Sequence, residues 1–314
     1  MDQTEHATAI VVGNPDDPHA AAVASRLAGW GVTHLVIDVA SLATARFTVD
    51  SRSARICKAG ERPVTVQAGT RGWLRRIAPE GWQHGVAEGS QEAAVGAAWM
   101  MLLGSVVRCS GITWLTTPDR AFAAENKLVQ YRAAQALSIH VPDSVVTSEP
   151  AEASALLGDR FVVKPLGPGQ FFDDGTGRAV FTSVVTASDP ALRDLGGAPF
   201  IAQRFVQADR HLRVVTVRDQ VWVSALEAAG SDTDWRRTPA AHQQFRPIDQ
   251  AEVGAAAVRL AEAVEVGYSS QDWVESDGQA WFLDLNPAGQ CLFLHDPTSG
   301  EVAEAIASWL ATDE

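Results

Sequence analysis

Residues 271–290 read QDWVESDGQAWFLDLNPAGQ, and the fold is decided by how this stretch pairs. Two runs of alternating polar and apolar residues flank Asp277-Gly278, a dipeptide suited to a tight hairpin turn. In the second run Asp284 and Asn286 alternate with Leu283 and Leu285. Successive strand side chains point to opposite faces, so the two polar groups share one face and the leucines are expected to pack behind it. With the turn at Asp277-Gly278, Asp272 on the first strand comes beside Asp284 across the hairpin. Two carboxylates and an amide oxygen suit Mg2+, which takes few protein ligands and completes its shell with water and phosphate oxygens. A solvated hairpin face would carry the same residues. The loop Pro287-Ala288-Gly289-Gln290 argues for a site, because it lets a substrate approach the strand end.

Positive charges upstream complement these carboxylates. Lys164 interrupts the apolar strand FVVKPL (161–166), where an unpaired buried ammonium is costly. Pro165 removes a donor and ends that strand. The segment that follows, GPGQFFDDGTGR (167–178), is Gly-rich, as a loop folding over phosphate has to be. A structural ion pair beside a hairpin loop would also explain the lysine. Lys127, in AENKLVQ (124–130), reads on its own as an ordinary lysine on a solvated helix face. In QRFV (203–206) a strand leaves a hydrophobic sheet and can offer its backbone to an adenine edge. In HLRV (211–214), Arg213 occupies an inward strand position from which a phosphate is within reach. Asp234-Trp235-Arg236-Arg237 adds two guanidiniums, and singly each reads as a surface arginine.

The rest of the chain limits what such a site can belong to. Its 314 residues, 46% hydrophobic and 20% charged, suffice for two or three compact units. The longest apolar stretch, Ala93 to Val107, falls short of the roughly 18 to 20 residues of a bilayer span. It reads as a buried helix, and no membrane partner is expected. MDQTEHATAI lacks a basic segment followed by an apolar one, so a cytoplasmic location is expected. Cys57, Cys109 and Cys291 lie far apart without metal-ligand spacing and read as buried thiols. A net charge of −13 without a basic run argues against nucleic acid.

ATAIVVG (7–13), the turn-rich NPDDP, an Ala-rich helix to Gly29 and THLVIDV (33–39) read as strand, helix, strand. RFTVD, RPVTVQ, GWLRRI and a helix over about 88–108 complete an α/β unit ending near Thr116. The turn at Gly13 is not a GxGxxG fingerprint, so no dinucleotide site is expected there. Thr117-Pro118-Asp119 is expected to begin one helix through about Leu137, with Asp119 as its cap. Strands DSVVTS, FVVKPL, AVFTSVV, FIAQRFV, LRVVTV and VWVSALEA follow, with a hairpin turn at Asp219-Gln220. A helix over about 249–266, the hairpin quoted above and a helix over about 300–311 close an α+β chain whose later sheets are mainly antiparallel. Arg71, Arg75 and Arg76 could serve an acidic peptide or be ordinary surface charge.

Taken in order, a lysine in a helix, a lysine in a VVKP strand, a Gly-rich loop, QRFV, HLRV, DWR, QDWV and FLDLNPAGQ resemble the ATP-grasp ligases, particularly the RimK-like branch. The resemblance runs from about Thr116 to the C-terminus. GWLRRI, ENKLVQ and FLDLNPAGQ are similar to the ATP-grasp maturases that macrocyclise ribosomal peptides, the graspetide or microviridin-type enzymes. This resemblance implies an ATP-grasp fold, two α+β subdomains clasping ATP, preceded by an α/β pre-ATP-grasp domain. The implied divisions are 1–116, 117–206 and 207–314. Lys127 and Lys164 would hold nucleotide phosphates, and Arg204 and Phe205 the adenine hinge. Arg213 and Arg236 would be catalytic, stabilising the transferring phosphate or an acyl phosphate. Asp272, Asp284 and Asn286 match the ligands of Mg2+. Where the family has D-[IL]-R this chain has His211-Leu212-Arg213, which leaves the ribose contact to His211 or Asp209. Where it has EVN the chain has Asp284-Leu285-Asn286, one methylene shorter. The implied partner is a precursor peptide with a leader and a core of Thr, Ser or Lys with Asp or Glu, and a homodimer is compatible with the resemblance. The ATP motifs do not separate this reading from a ligase for free amino acids or a protein C-terminus, or from a nucleotide-gated peptide-binding module without turnover.

Overall fold

Short apolar runs buried on both faces suit parallel strands, and the N-terminal unit sets such runs beside a smaller, mixed sheet. In the computed structural model, β1 (Glu5–His6), β4 (Arg46–Val49), β5 (Ala54–Cys57) and β6 (Val64–Val66) form a small sheet in the order β1-β6-β5-β4. Beside it β2 (Ala9–Val12), β3 (His34–Ile37), β7 (Arg71–Leu74) and β8 (Thr113–Trp114) form a parallel sheet, β3-β2-β7-β8. The structure describes all residues except 1–4, 80, 110, 167–169, 174–175, 180–181, 191, 193–197, 229–233 and 313–314. Helix α1 (Pro18–Gly29) starts on Asp17, whose carboxylate accepts from the backbone N–H of His19 and Ala20. Asp38 caps the short α2 (Val39–Ala43) in the same way. The apolar run read as a buried helix is α3 (Gln91–Val106), but it buries chiefly Gly96, Leu103 and Val106 and leaves Met101 exposed. No helix among the described residues is long and apolar enough to cross a membrane.

The single helix expected from Pro118 to Leu137 is two. Thr117, not Asp119, caps α4 (Pro118–Ala124), and Asn126 caps α5 (Lys127–Ala136). The break has a local cause. The Asn126 carboxamide oxygen takes the N–H groups of Leu128 and Val129, which a continuous helix would bond to upstream carbonyls.

The next sheet is antiparallel throughout, β13-β10-β14-β9, from β9 (Ser144–Thr147), β10 (Arg160–Pro165), β13 (Ser183–Thr186) and β14 (Phe200–Arg204). Helix α6 (Pro150–Leu157) covers it through Ala153 and Leu157, which pack on Phe161, Val163, Phe200 and Ala202. In the Gly-rich segment β11 (Gln170–Asp173) and β12 (Thr176–Ala179) pair as a hairpin, and residues 167–169 and 174–175 lie outside the described residues.

The last sheet has the order β17-β16-β15-β18-β19, from β15 (Arg210–Val217), β16 (Gln220–Glu227), β17 (Arg246–Pro247), β18 (Tyr268–Ser276) and β19 (Gln279–Asn286). The β15–β16 turn falls on Arg218-Asp219, one residue earlier than expected, because Val217 pairs with Gln220. Asp277 and Gly278 make the β18–β19 turn with φ of 50° and 75°. A 3-10 turn at Trp235–Arg237 and α7 (Pro239–His242) connect β16 to β17. On one face of this sheet α5 and α8 (Ala251–Ala263) bury Leu212, Val214, Trp273, Phe282 and Leu285. On the opposite face, Val215, Val217 and Tyr268 share a core with Ala9, Val11 and Trp73 of the N-terminal unit and with Val302, Ile306 and Leu310 of α9 (Thr298–Ala311).

One irregularity positions the site. Asp272 pairs with Asp284, but the next pair is Trp273 with Phe282, so Leu283 is the extra residue of a β-bulge. Phe282 and Leu285, three residues apart, are therefore both in the core. Leu283 does not pack behind the sheet as expected and instead lines a cleft with Lys164, His211 and Val274.

Candidate active site

Arg213, Asp272 and Asp284 form one row across β15, β18 and β19. Directly opposed carboxylates repel unless cations lie beside them. Here Arg213 NH1 donates to Asp272 Oδ1 at 2.6 Å, and Lys127 Nζ donates to Asp284 Oδ1. Burial alone would raise the Asp284 pKa. Lys127, through its charge and hydrogen bond, and then Lys164 and Arg236 outweigh burial and hold it below the ordinary carboxylate value. Asn286 is exposed at the end of the strand, and its Oδ1 accepts from Ala288 N at 2.8 Å. Arg236 pairs through two nitrogens with Asp234, at 2.7 and 2.8 Å, and Asp234 also accepts from Thr182 N at 3.1 Å.

Lys164 faces this row from the central sheet. It is 7% exposed, and among the described residues it has no salt bridge. The structural ion pair that could have explained it is thus not found. Its ammonium donates to Gln203 Oε1 at 2.7 Å, and Gln203 Nε2 donates to Ser144 Oγ at 2.9 Å. Burial and then the nearby Lys127 charge, partly offset by Asp284, push the Lys164 pKa down to about 8. A buried cation held by a neutral amide keeps its charge uncompensated.

The cleft lies between the two sheets. Val162, Lys164 and Gln203 line it from one side and His211, Val274 and Leu283 from the other, with residues 204–208 as the edge. Among the described hydrogen bonds, none involves the backbone N–H of Phe205, Val206, Gln207 or Ala208. The Phe205 ring lies under the Arg160 guanidinium, 4.2 Å from ring centre to Cζ. The Arg204 guanidinium instead turns to Asp143, at 2.8 and 3.0 Å, while the residue still borders the cleft. His211 is 7% exposed, its side chain has no described hydrogen bond, and burial, which lowers its pKa, favours the neutral ring. Asp209 is not among the cleft-lining residues. Its Oδ2 accepts from Asp277 N at 2.7 Å and fastens the hairpin turn.

These groups fit a magnesium nucleotide. The described residues contain no cluster of three or more His, Cys, Asp or Glu, so two carboxylates and an amide would leave the remaining coordination to phosphate and water, the usual arrangement for Mg2+. Apolar walls, an edge of amides without a described partner and a buried ammonium suit a planar base with phosphates.

Several supporting residues were not singled out from sequence. Gln130 is fully buried in α5; its Nε2 donates to Leu285 O and Ala124 O, each at 2.7 Å, and its Oε1 accepts from Leu285 N at 3.0 Å. Tyr131 donates to Leu283 O at 3.3 Å. Both hold the edge strand that carries Asp284, and a glutamine in an otherwise apolar inward row was the available signal for the first. Of the three arginines considered for an acidic peptide, Arg75 is 1% exposed and paired with Asp17, and Arg71 lies over Trp309 at 4.9 Å. Only Arg76 is exposed.

No protein-family model matches the chain, and no curated protein matches it in sequence. Its structure is similar to a RiPP-associated ATP-grasp ligase of Chryseobacterium gregarium, solved with ADP and a leader and core peptide, at TM-score 0.83 and 18% identity over 98% of this chain and 96% of that one. It is also similar to the macrocyclase MdnC of Microcystis aeruginosa MRC bound with the precursor peptide MdnA, at TM-score 0.79 and 19% identity over 96% and 98%. A RimK-domain ATP-grasp protein of Sphaerobacter thermophilus aligns at TM-score 0.58 and 16% identity over 97% and 99%. Across nearly its whole length, this chain has the ATP-grasp fold.

Proposed function

We propose that the chain is an ATP- and Mg2+-dependent ligase that joins side chains of a ribosomal precursor peptide through an acyl phosphate, forming ester or amide macrocycles. The observation that carries this reading is the convergence of Lys164, Lys127, Arg213 and Arg236 on the paired carboxylates Asp272 and Asp284 beside an apolar cleft. The likeness to peptide-bound ATP-grasp ligases supports a peptide over a free amino acid as the acceptor.

In this reading an Asp or Glu carboxylate of the peptide attacks the γ-phosphorus of ATP, the bond to ADP breaks, and an acyl phosphate forms. A Ser or Thr hydroxyl or a Lys amine then attacks the acyl carbon, phosphate leaves, and the nucleophile's proton is released, so each linkage removes one water. Mg2+ held by Asp272, Asp284 and Asn286 would neutralise charge on the phosphate oxygens. Lys164 and Lys127 bind phosphate oxygens, and Arg213 and Arg236 oppose the charge on the transferring group. The backbone of residues 205–208 takes the adenine edge, and His211, neutral and facing the cleft, is placed for the ribose. No protein nucleophile is needed, since positioning and charge supply the catalysis. A leader bound on a separate surface would raise the effective concentration of the core.

The test is incubation with Mg·ATP and a peptide from a short neighbouring reading frame rich in Thr or Ser and Asp or Glu. Mass loss of one water per linkage with matching ADP release is expected. Nucleotide binding without turnover on any peptide, amino acid or protein acceptor would instead leave a binding module.

A further inference from the structure

The loop after the metal-ligand strand, 287–292, is gripped from two sides. From the C-terminal sheet, Arg213 NH2 and Ser270 Oγ donate to Gln290 O at 2.7 and 3.2 Å, and Tyr268 donates to Gly289 O at 2.7 Å. From the N-terminal unit, Arg75 NH1 donates to Ala288 O, and His19 Nε2 accepts the backbone N–H of both Cys291 and Leu292, at 3.0 and 3.2 Å. An imidazole nitrogen that accepts two N–H groups carries no proton, so the His19 proton sits on Nδ1, which lies 3.4 Å from Asp17 Oδ1. Asp17 is paired with Arg75 as well, at 3.2 Å. His19 and Arg75 are 8% and 1% exposed, so the assembly is buried. Burial lowers the His19 pKa, against the opposing pull of Asp17 and with that of Arg75, and favours the neutral ring that this geometry requires.

The loop fits tightly between these two sides. A Cβ on Gly289 would lie 2.5 Å from Ser270 Cβ and 3.3 Å from the Arg213 guanidinium. Gln290 O is one of two acceptors that fix the Arg213 fork, the other being Asp272. Displacing the loop would therefore free the arginine that faces phosphate.

We propose that Asp17, His19 and Arg75 are positioning residues for the phosphate end of the cleft: by clamping 288–292 they fix Arg213 and Asn286, so the N-terminal unit completes the site. The proposal rests on the nucleotide reading above. None of the three lines the cleft, and the adenine end lies on other elements.

The experiment compares Mg·ADP and adenosine binding by titration calorimetry in the wild type, His19→Leu, His19→Gln and Arg75→Met. His19→Leu and Arg75→Met should weaken Mg·ADP at least about tenfold, as unpaired buried groups release the loop, with adenosine affinity unchanged. His19→Gln, which keeps an acceptor, should restore most of the Mg·ADP affinity. Wild-type Mg·ADP affinity in folded His19→Leu and Arg75→Met overturns the proposal. Failure of the wild type to bind Mg·ADP overturns the nucleotide reading instead. Should the variants not fold, hydrogen exchange on the wild type decides: Cys291 and Leu292 amides as protected as the core of α1 support the clamp, and fast exchange there overturns it.

Discussion

At the residue scale, Lys164 carries the most chemistry and gives the sharpest predictions. Its ordinary pKa of 10.5 falls to about 8 because burial and Lys127 disfavour the charge. The folded protein therefore gives up this proton before the unfolded chain does. The penalty on folding is full below about pH 8 and is relieved as pH rises towards the unfolded value. A bound phosphate favours the ammonium, so the dependence on binding has the opposite sign. Mg·ATP affinity should fall as pH rises through about 8, and Lys164→Arg, which keeps its charge, should flatten the profile in calorimetric titrations. Lys164→Ala should abolish turnover, and wild-type ligation by that variant would remove Lys164 from the phosphate site. Lys127→Ala should mainly raise the Kd for nucleotide, by about tenfold, since it loses one charge-assisted contact. The sequence marked Lys164 clearly, as a charge within FVVKPL. It marked Lys127 weakly, because the solvated helix face that AENKLVQ suggested turns out to be the first turn of a helix aimed at Asp284.

At the element scale, β19 owes its position to α5. Gln130 satisfies both backbone groups of Leu285 in a fully buried setting, so Gln130→Leu should leave them unpaired and cost about 1 to 3 kcal/mol per orphaned group. Urea denaturation measures this loss, and an unchanged midpoint would show that the contact contributes nothing. The hairpin was legible from alternation and Asp277-Gly278, but that turn with strict alternation sets Asp272 opposite Leu283, and it is the bulge that brings Asp284 opposite Asp272. The bulge at Leu283 was not legible, since strict alternation puts Leu283 and Leu285 on one face. Only the burial of Phe282 and Leu285 together reveals the extra residue. Asn126 hid the α4–α5 break for a related reason: an asparagine amid helix formers reads as tolerable until its side chain is seen capping the second helix.

At the scale of the whole molecule, the N-terminal unit and the last sheet share one apolar core, through Val11, Trp73, Val215, Tyr268 and Leu310. Separating them would expose that core, so the two should unfold together, and a calorimetric scan should show one transition for both. Two resolved transitions for these parts would contradict the shared core. Such contacts between distant segments have no local signal in sequence. The buried Arg75 illustrates this, since its neighbours in GWLRRI give no hint of its partners Asp17 and Ala288.

If a peptide carboxylate is activated by phosphate transfer, one of its oxygens leaves with the phosphate. The experiment labels the reacting Asp or Glu carboxylate with heavy oxygen, runs the reaction with unlabelled Mg·ATP in ordinary water, and analyses the released phosphate by mass spectrometry. An acyl phosphate requires one heavy oxygen in the phosphate for each linkage made. Phosphate free of label, with linkages still forming, would contradict the account.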